Sequence, residues 1–230
     1  MEFNADAASK YDEWYRKDKG KYADAQEKEL FLRLVQPQRG QSLLEVGCGT
    51  GHNLEFFRRL GLTVTGIDLS EPMLQIAARR LGPEARLSLG QANMLEFDDN
   101  SFDIVTLITL LEFLPNPAGA LKEATRVARD KVYVGILNKA SVLGITRRVE
   151  NRFRKNVYKQ AKFFTIWEIK EMAKETLDRF SLTWESVLFF PLGWHRCCHQ
   201  IDRLLSFHRN PFGAFLGIHI TKPHRTSTQR

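Results

Sequence analysis

Cysteine is scarce: Cys48, Cys197 and Cys198 are the three in a chain of 230 residues. Three thiols make no disulfide framework, so the fold must rest on an apolar core. No apolar run approaches the roughly 18 residues that a membrane-spanning helix needs. Residues 1–10 hold Glu2 and Asp6 and no apolar stretch. The segment lacks the apolar core of a signal peptide and is too acidic for a transit peptide, so neither is expected. Together these features lead us to expect a cytoplasmic protein. Metal-ligand spacing is also lacking. HRCCH (195–199) sets two cysteines side by side with no second ligand pair after them, so no metal is expected. No Gly-Lys-Ser/Thr occurs after a glycine loop, which excludes a P-loop.

What is present is globular. Apolar residues make up 43% and charged residues 27%, and the length suits one domain with its own core. Lys and Arg number 34 against 27 Asp and Glu, a net charge of +7 that favours anionic partners. Apolar periodicity predicts helices over 24–35, 53–60, 70–80 and 117–128. Short apolar runs predict strands over 42–46, 63–68, 85–89, 102–110 and 131–137. This alternation argues for a parallel sheet covered on both faces. Ser70, with Pro72 two residues on, reads as a helix N-cap. Thr165 and Glu168 form a capping-box pair opening a helix to about Leu177. Two further strand-like runs, 181–190 and 214–220, suggest a hairpin-like antiparallel end to the sheet.

LLEVGCGTG (43–51) carries the strongest signal. A strand ends at Glu45–Val46, and Gly47, Cys48, Gly49, Thr50 and Gly51 turn into a helix. Glycines belong where backbone turns tightly and a ligand comes close. Asp68 ends the next strand about 20 residues later, where a doubly wound fold places the acid that binds ribose hydroxyls. The alternative is a plain strand-to-helix turn with a surface Asp. A dinucleotide fingerprint would need glycine at 52, where His52 stands.

Around this loop the chain resembles the class I S-adenosylmethionine-dependent methyltransferases, specifically the type 11 group that includes the ubiquinone and menaquinone methyltransferases. The resemblance covers roughly residues 8–137 and rests on LLEVGCGTG, TGIDLSEPML (65–74), GQANMLEFDDNSFD (90–103), FDIVTLITLLEFLPNP (102–117) and YDEWY (11–15). It implies a Rossmann-like α/β fold: a mostly parallel seven-stranded sheet with an antiparallel C-terminal strand and helices on both faces. It implies S-adenosylmethionine as cofactor, with S-adenosylhomocysteine as product. Asp68 is implied on the ribose hydroxyls, Leu69 and Met73 beside the adenine, and Ala92, Asn93 and Met94 along the ring. Glu45, Gly47, Cys48, Gly49, Gly51 and Thr109 complete the implied cofactor set, with Tyr11 and Tyr15 in a capping N-terminal segment. Three features depart from the family pattern: Gln91 replaces an Asp, Glu96 replaces a Pro, and Glu112–Phe113 replaces a pair often His-His.

A sulfonium methyl is already activated, so the protein's main task is alignment of donor and acceptor. A base is needed only if the acceptor must lose a proton. Glu112, Tyr158 and His195 are candidates, each with a purely structural alternative, and no catalytic residue is assigned. The expected organisation is one domain over 1–230: N-terminal cap helices (1–40), cofactor core (41–137), a basic insertion (138–164), and a C-terminal helix with the last strands (165–230). The insertion holds eight Lys and Arg against Glu150 alone, which equals the net charge of the whole chain. Val142, Ile145, Val149, Phe153 and Val157 recur there at helical spacing. A solvated helix face, a substrate lid, and peripheral contact with anionic membrane through 141–158 compete as readings. The expected partner is a small-molecule acceptor, anionic or amphiphilic, with no stable nucleic-acid partner. An RNA or protein methyltransferase, or a non-catalytic cofactor-fold protein, is the alternative.

Overall fold

The computed structural model describes residues 12–83, 85–141, 161–192, 201, 202, 205 and 210–222. Five strands run parallel: β1 (Ser42–Val46), β2 (Thr63–Asp68), β3 (Arg86–Leu89), β4 (Phe102–Ile108) and β5 (Ala128–Leu137). Two more, β6 (Ser181–Val187) and β7 (Phe215–Thr221), complete one sheet of order β3-β2-β1-β4-β5-β7-β6. β7 lies antiparallel to both β5 and β6. The chain thus inserts its last strand between β5 and β6. The expected antiparallel end is present, but a connection over 188–214 joins its strands where a tight hairpin turn would otherwise sit.

The helices are α1 (Asp18–Val35), α2 (His52–Arg59), α3 (Glu71–Leu81), α4 (Pro117–Val127) and α5 (Ile166–Thr176). Strand residues alternate between the two faces. Leu43, Ile104 and Tyr133 pack with Phe31, Leu54 and Phe57 under α1 and α2. Their neighbours Leu44, Val105 and Val134 pack with Leu121, Ala124 and Ile169 under α4 and α5. Each fully buried large side chain contributes about 1.5–3 kcal/mol relative to exposure. Covering both faces requires near-continuous apolar strands, which is why β1, β4 and β5 read as apolar runs.

The caps behave as the sequence suggests. Ser70 Oγ accepts from Met73 N at 3.4 Å, and Thr165 with Glu168 makes a full capping box. α1 begins six residues earlier than expected, at Asp18, and β5 three residues earlier, at Ala128; two strand ends also differ. β4 stops at Ile108, because Thr109 adopts φ 50° and turns the chain into a 3₁₀ turn at Leu111–Phe113. β6 stops at Val187, because Leu188 adopts φ 68°.

Candidate functional site

The carboxyl ends of β1, β2, β4 and β5 converge on one edge of the sheet, where open α/β folds bind ligands. The glycine turn between β1 and α2 sits there with Gly47, Gly49 and Gly51 all at positive φ. Gly47 N and Cys48 N both donate to Ile67 O, at 2.8 and 2.9 Å, which ties the turn to the end of β2. At Gly47 (φ 73°) a Cβ would stand 2.6 Å from Leu110 Cδ1. Only glycine lets the turn and the chain after β4 approach so closely.

Asp68 closes the turn from β2. Its Oδ2 accepts from Gly49 N and its Oδ1 from Ser70 N, both at 2.8 Å. Burial raises its carboxyl above the ordinary range despite these bonds. The Leu69 backbone N–H also bonds this carboxyl, so of about four acceptor positions roughly one stays open. Glu45 lies beneath, 1% exposed. Its Oε1 accepts from Asn53 Nδ2 at 2.9 Å, while Oε2 is buried without a partner. Burial, with the nearby Asp68 charge, pushes Glu45 up to about 8. Cys48 is buried and its thiol is pushed well above the usual range by burial, so it stays a packed, protonated thiol.

Beside Asp68, Leu69 is 67% exposed and Met94 is 66% exposed, an open apolar surface. Met94 is offered by a tight turn in which its N–H donates to Gln91 O. Asn93 is exposed and Ala92 half-buried on the same turn. Met73, by contrast, is 5% exposed under α3. The structure thus brings Glu45, the turn and Asp68 into one cluster, with Leu69 and Met94 at its mouth and Met73 inside.

A latch holds the N-terminal segment to this turn. Thr50 Oγ1 donates to Asp12 Oδ1 at 2.7 Å. Arg80 donates to Asp12 Oδ2 at 2.6 Å and to Thr50 O at 3.0 Å. Tyr15 stacks on His52 with centroids 3.9 Å apart. His52 Nε2 is 2.9 Å from Asp24 Oδ1. Burial works against the charge on Asp24, but hydrogen bonds from His52 and Lys28 outweigh it and hold the carboxyl below its ordinary value.

On the other side of Leu110 stands a second cluster. Thr109 N donates to Gly135 O at 2.7 Å, fixing its left-handed conformation. Glu112 is 1% exposed. Its Oε1 accepts from Leu137 N at 2.7 Å, and its backbone carbonyl accepts from Lys162 N at 2.7 Å. Its Oε2 is buried without a partner, and burial pushes the carboxyl up to about 7. Next to it, Asn138 Nδ2 donates to Pro211 O and Gly213 O at 2.6 and 2.7 Å. Asn138 also pairs with Phe164 in a parallel bridge.

Similarity to known proteins agrees with this arrangement. A family model described as a methyltransferase domain matches residues 44–136. An uncharacterized protein of Methanocaldococcus jannaschii is 32% identical over 170 residues, 73% of this chain and 77% of that one. A ubiquinone biosynthesis O-methyltransferase of Thiobacillus denitrificans is 31% identical over 160 residues, 64% of this chain and 69% of that one. A Thermotoga maritima crystal structure, named as a SAM-dependent methyltransferase and "possible histamine N-methyltransferase", superposes with TM-score 0.74 at 26% identity, covering 95% of this chain and 97% of that one. The chain belongs to the S-adenosylmethionine-dependent methyltransferases. Some relatives are matched over as little as 38% of their own length, so their acceptors are not properties of this methyltransferase.

Sequence reasoning missed three groups of this methyltransferase's site. Arg80 read as an ordinary basic residue in the last turn of α3, Asp12 lay unremarked inside a motif quoted for other residues, and Thr50 was named only as a turn residue. Asn138 carried no signal, since a lone Asn after a strand reads as a turn residue. Tyr11, Tyr158, His195, Cys197, Cys198 and residues 142–160 lie outside the described residues, so the readings that rest on them stay as expectations. Among the described residues there is no cluster of metal ligands, and no helix is long and apolar enough to cross a membrane.

Proposed function

We infer that this methyltransferase binds S-adenosylmethionine over the glycine turn and methylates a small-molecule acceptor bearing a hydroxylated, quinone-related ring. The observation that carries the reading is the positive-φ turn closed by Asp68, with Leu69 and Met94 open beside it. The donor set suits the cofactor. Asp68 retains acceptor capacity for a ribose hydroxyl. The orphaned Glu45 Oε2 suits an ammonium group. The turn's backbone, open because no Cβ fills it, suits the methionyl carboxylate. Leu69 and Met94 offer an apolar surface to the adenine, with Ala92 and Asn93 along its edge. Tyr15 and Thr109 flank the site from the N-terminal segment and from β4. When bound, the cofactor supplies a methyl group on a sulfonium, ready for in-line displacement.

What the chain itself contributes is alignment and exclusion of water. Leu110 separates the glycine turn from the chain that follows β4, so the acceptor is placed beyond it, at the ends of β4 and β5. The quinone-related acceptor class is supported by similarity to the ubiquinone biosynthesis enzyme. A cytosolic location accords with the scarcity of cysteine. Calorimetry tests the cofactor half: S-adenosylhomocysteine binds wild type, and Asp68→Ala weakens it at least about tenfold. Absence of binding to wild type sinks the reading. The acceptor half is tested by S-adenosylhomocysteine release with catechol, histamine and phosphoethanolamine as probes. Turnover confined to the two amines overturns the ring assignment.

A further inference from the structure

Glu112 is costly where it stands. A carboxyl group 1% exposed is held by one backbone N–H, and its second oxygen has no partner. An orphaned buried polar atom is costly, and such costs persist mainly where function requires them. No charged side chain among the described residues pairs with it. Lys162 meets it through the backbone N–H, Lys139 binds Glu168, and Glu123 of α4 binds Arg126. The carboxyl therefore does not belong to an ion-pair network.

Its position narrows what it can serve. Leu110 abuts Gly47, and Glu112 follows two residues later in the 3₁₀ turn. The side chain reaches across to Leu137, the last residue of β5. Glu112 therefore lies at the ends of β4 and β5, past the residue that bounds the glycine turn, on the side left for the acceptor. Thr109, three residues before it, is held in a left-handed conformation that non-glycine residues rarely adopt. Burial keeps the carboxyl near neutrality, where a base and its conjugate acid are both accessible.

We propose that Glu112 is the acceptor-binding residue of this methyltransferase: its Oε2 accepts a hydrogen bond from an O–H or N–H of the methyl acceptor and takes that proton as the heteroatom is alkylated. The heteroatom–carbon bond forms as the methyl–sulfur bond breaks, that bond's electron pair leaving with sulfur; the O–H or N–H bond breaks, its pair remains on the heteroatom, and the proton resides on Oε2 until product leaves and the carboxyl re-ionises. Leu137 N–H holds Oε1 throughout, so the rotamer is preset. The ligand class is an acceptor that donates a hydrogen bond, which excludes tertiary amines and thioethers. The inference rests on the functional reading above for the transfer step. The hydrogen bond itself is read independently of turnover.

The test uses the full chain saturated with S-adenosylhomocysteine and catechol as probe. Carbon-13 NMR of glutamate-labelled protein follows the Glu112 carboxyl, identified as the resonance that Glu112→Gln removes, or Glu112→Asp if the amide variant does not fold. Catechol is expected to move that resonance saturably. A resonance left unmoved by millimolar catechol, histamine and phosphoethanolamine alike overturns the inference. In turnover, E112Q is expected to lose about a hundredfold in rate and the rise in rate through about pH 7. Its affinity for S-adenosylhomocysteine should stay within about twofold of wild type. E112Q turnover equal to wild type, with the same pH profile, also overturns it. Failure of wild type to methylate catechol counts against the ring assignment alone, because the NMR arm is read without chemistry.

Discussion

Two buried glutamates stand near the sheet's carboxyl edge, one before the glycine turn and one after β4. Glu45 belongs to β1 and takes one hydrogen bond from Asn53 of the next helix. Glu112 belongs to the turn after β4 and takes one from Leu137 N. Each keeps one orphaned oxygen, and burial pushes both carboxyls up, to about 8 and about 7. They differ in how they are built. The surroundings of Glu45 come from one contiguous stretch, 45–53, closed by Asp68. Those of Glu112 come from four separated pieces: the turn after β4, the end of β5, and the segments around 162 and 211. A region assembled from contiguous chain can hold one ligand unchanged across relatives. A region assembled from remote pieces changes with any of them.

The widest way to break this symmetry is pH. A carboxyl whose folded value is raised stabilises the fold fully below its unfolded value, and that stability is lost as pH rises through the folded value. For Glu112 the loss runs from 4.5 to about 7, and for Glu45 from 4.5 to about 8. Wild type should therefore be less stable at pH 8 than at pH 5 in denaturant titrations. Glu45→Gln should remove up to roughly 4 kcal/mol of that difference and Glu112→Gln up to roughly 3 kcal/mol. Equal pH profiles in all three proteins would show that neither carboxyl is protonated in the fold.

A smaller effect separates the two sides by ligand. Asn138→Ala strands the carbonyls of Pro211 and Gly213, costing about 2–4 kcal/mol and lowering Tm by several degrees. Affinity for S-adenosylhomocysteine should barely change. A large loss of that affinity would mean the two sides are not independent. The smallest effect concerns the latch. Arg80→Ala removes its bonds to Asp12 and Thr50 and should cost about 1–2 kcal/mol. Hydrogen exchange at residues 12–16 should quicken while exchange in β1 and β4 stays unchanged.

The contrast also explains what could be read from the residues alone. β1, the glycine turn and Asp68 were legible because local backbone chemistry dictates them: glycines for positive φ, an acid at a strand end, a capping serine at 70. The parallel strands were legible because burial on both faces makes them apolar runs. The stop of β4 was not, since nothing in ITLLEF distinguishes a left-handed Thr109 from one more strand residue. The placement of β7 between β5 and β6 depends on pairing across a long connection, and local pattern carries no such information. Glu112 stood out as a departure from the family pattern and as one of three candidate bases. Its meaning depends on Leu137, which lies 25 positions away.

Asn138 and Phe164 lie side by side although 25 residues separate them, and Leu188 O accepts from Ala214 N across a similar gap. Both connections begin and end at fixed neighbouring points on the sheet. Lengthening or replacing a connection with pinned ends costs little, about 0.6 kcal/mol for each doubling. The two segments are thus natural cassettes. Evolution or an engineer can lengthen or exchange either one while the sheet and the glycine turn stay as an unaltered chassis.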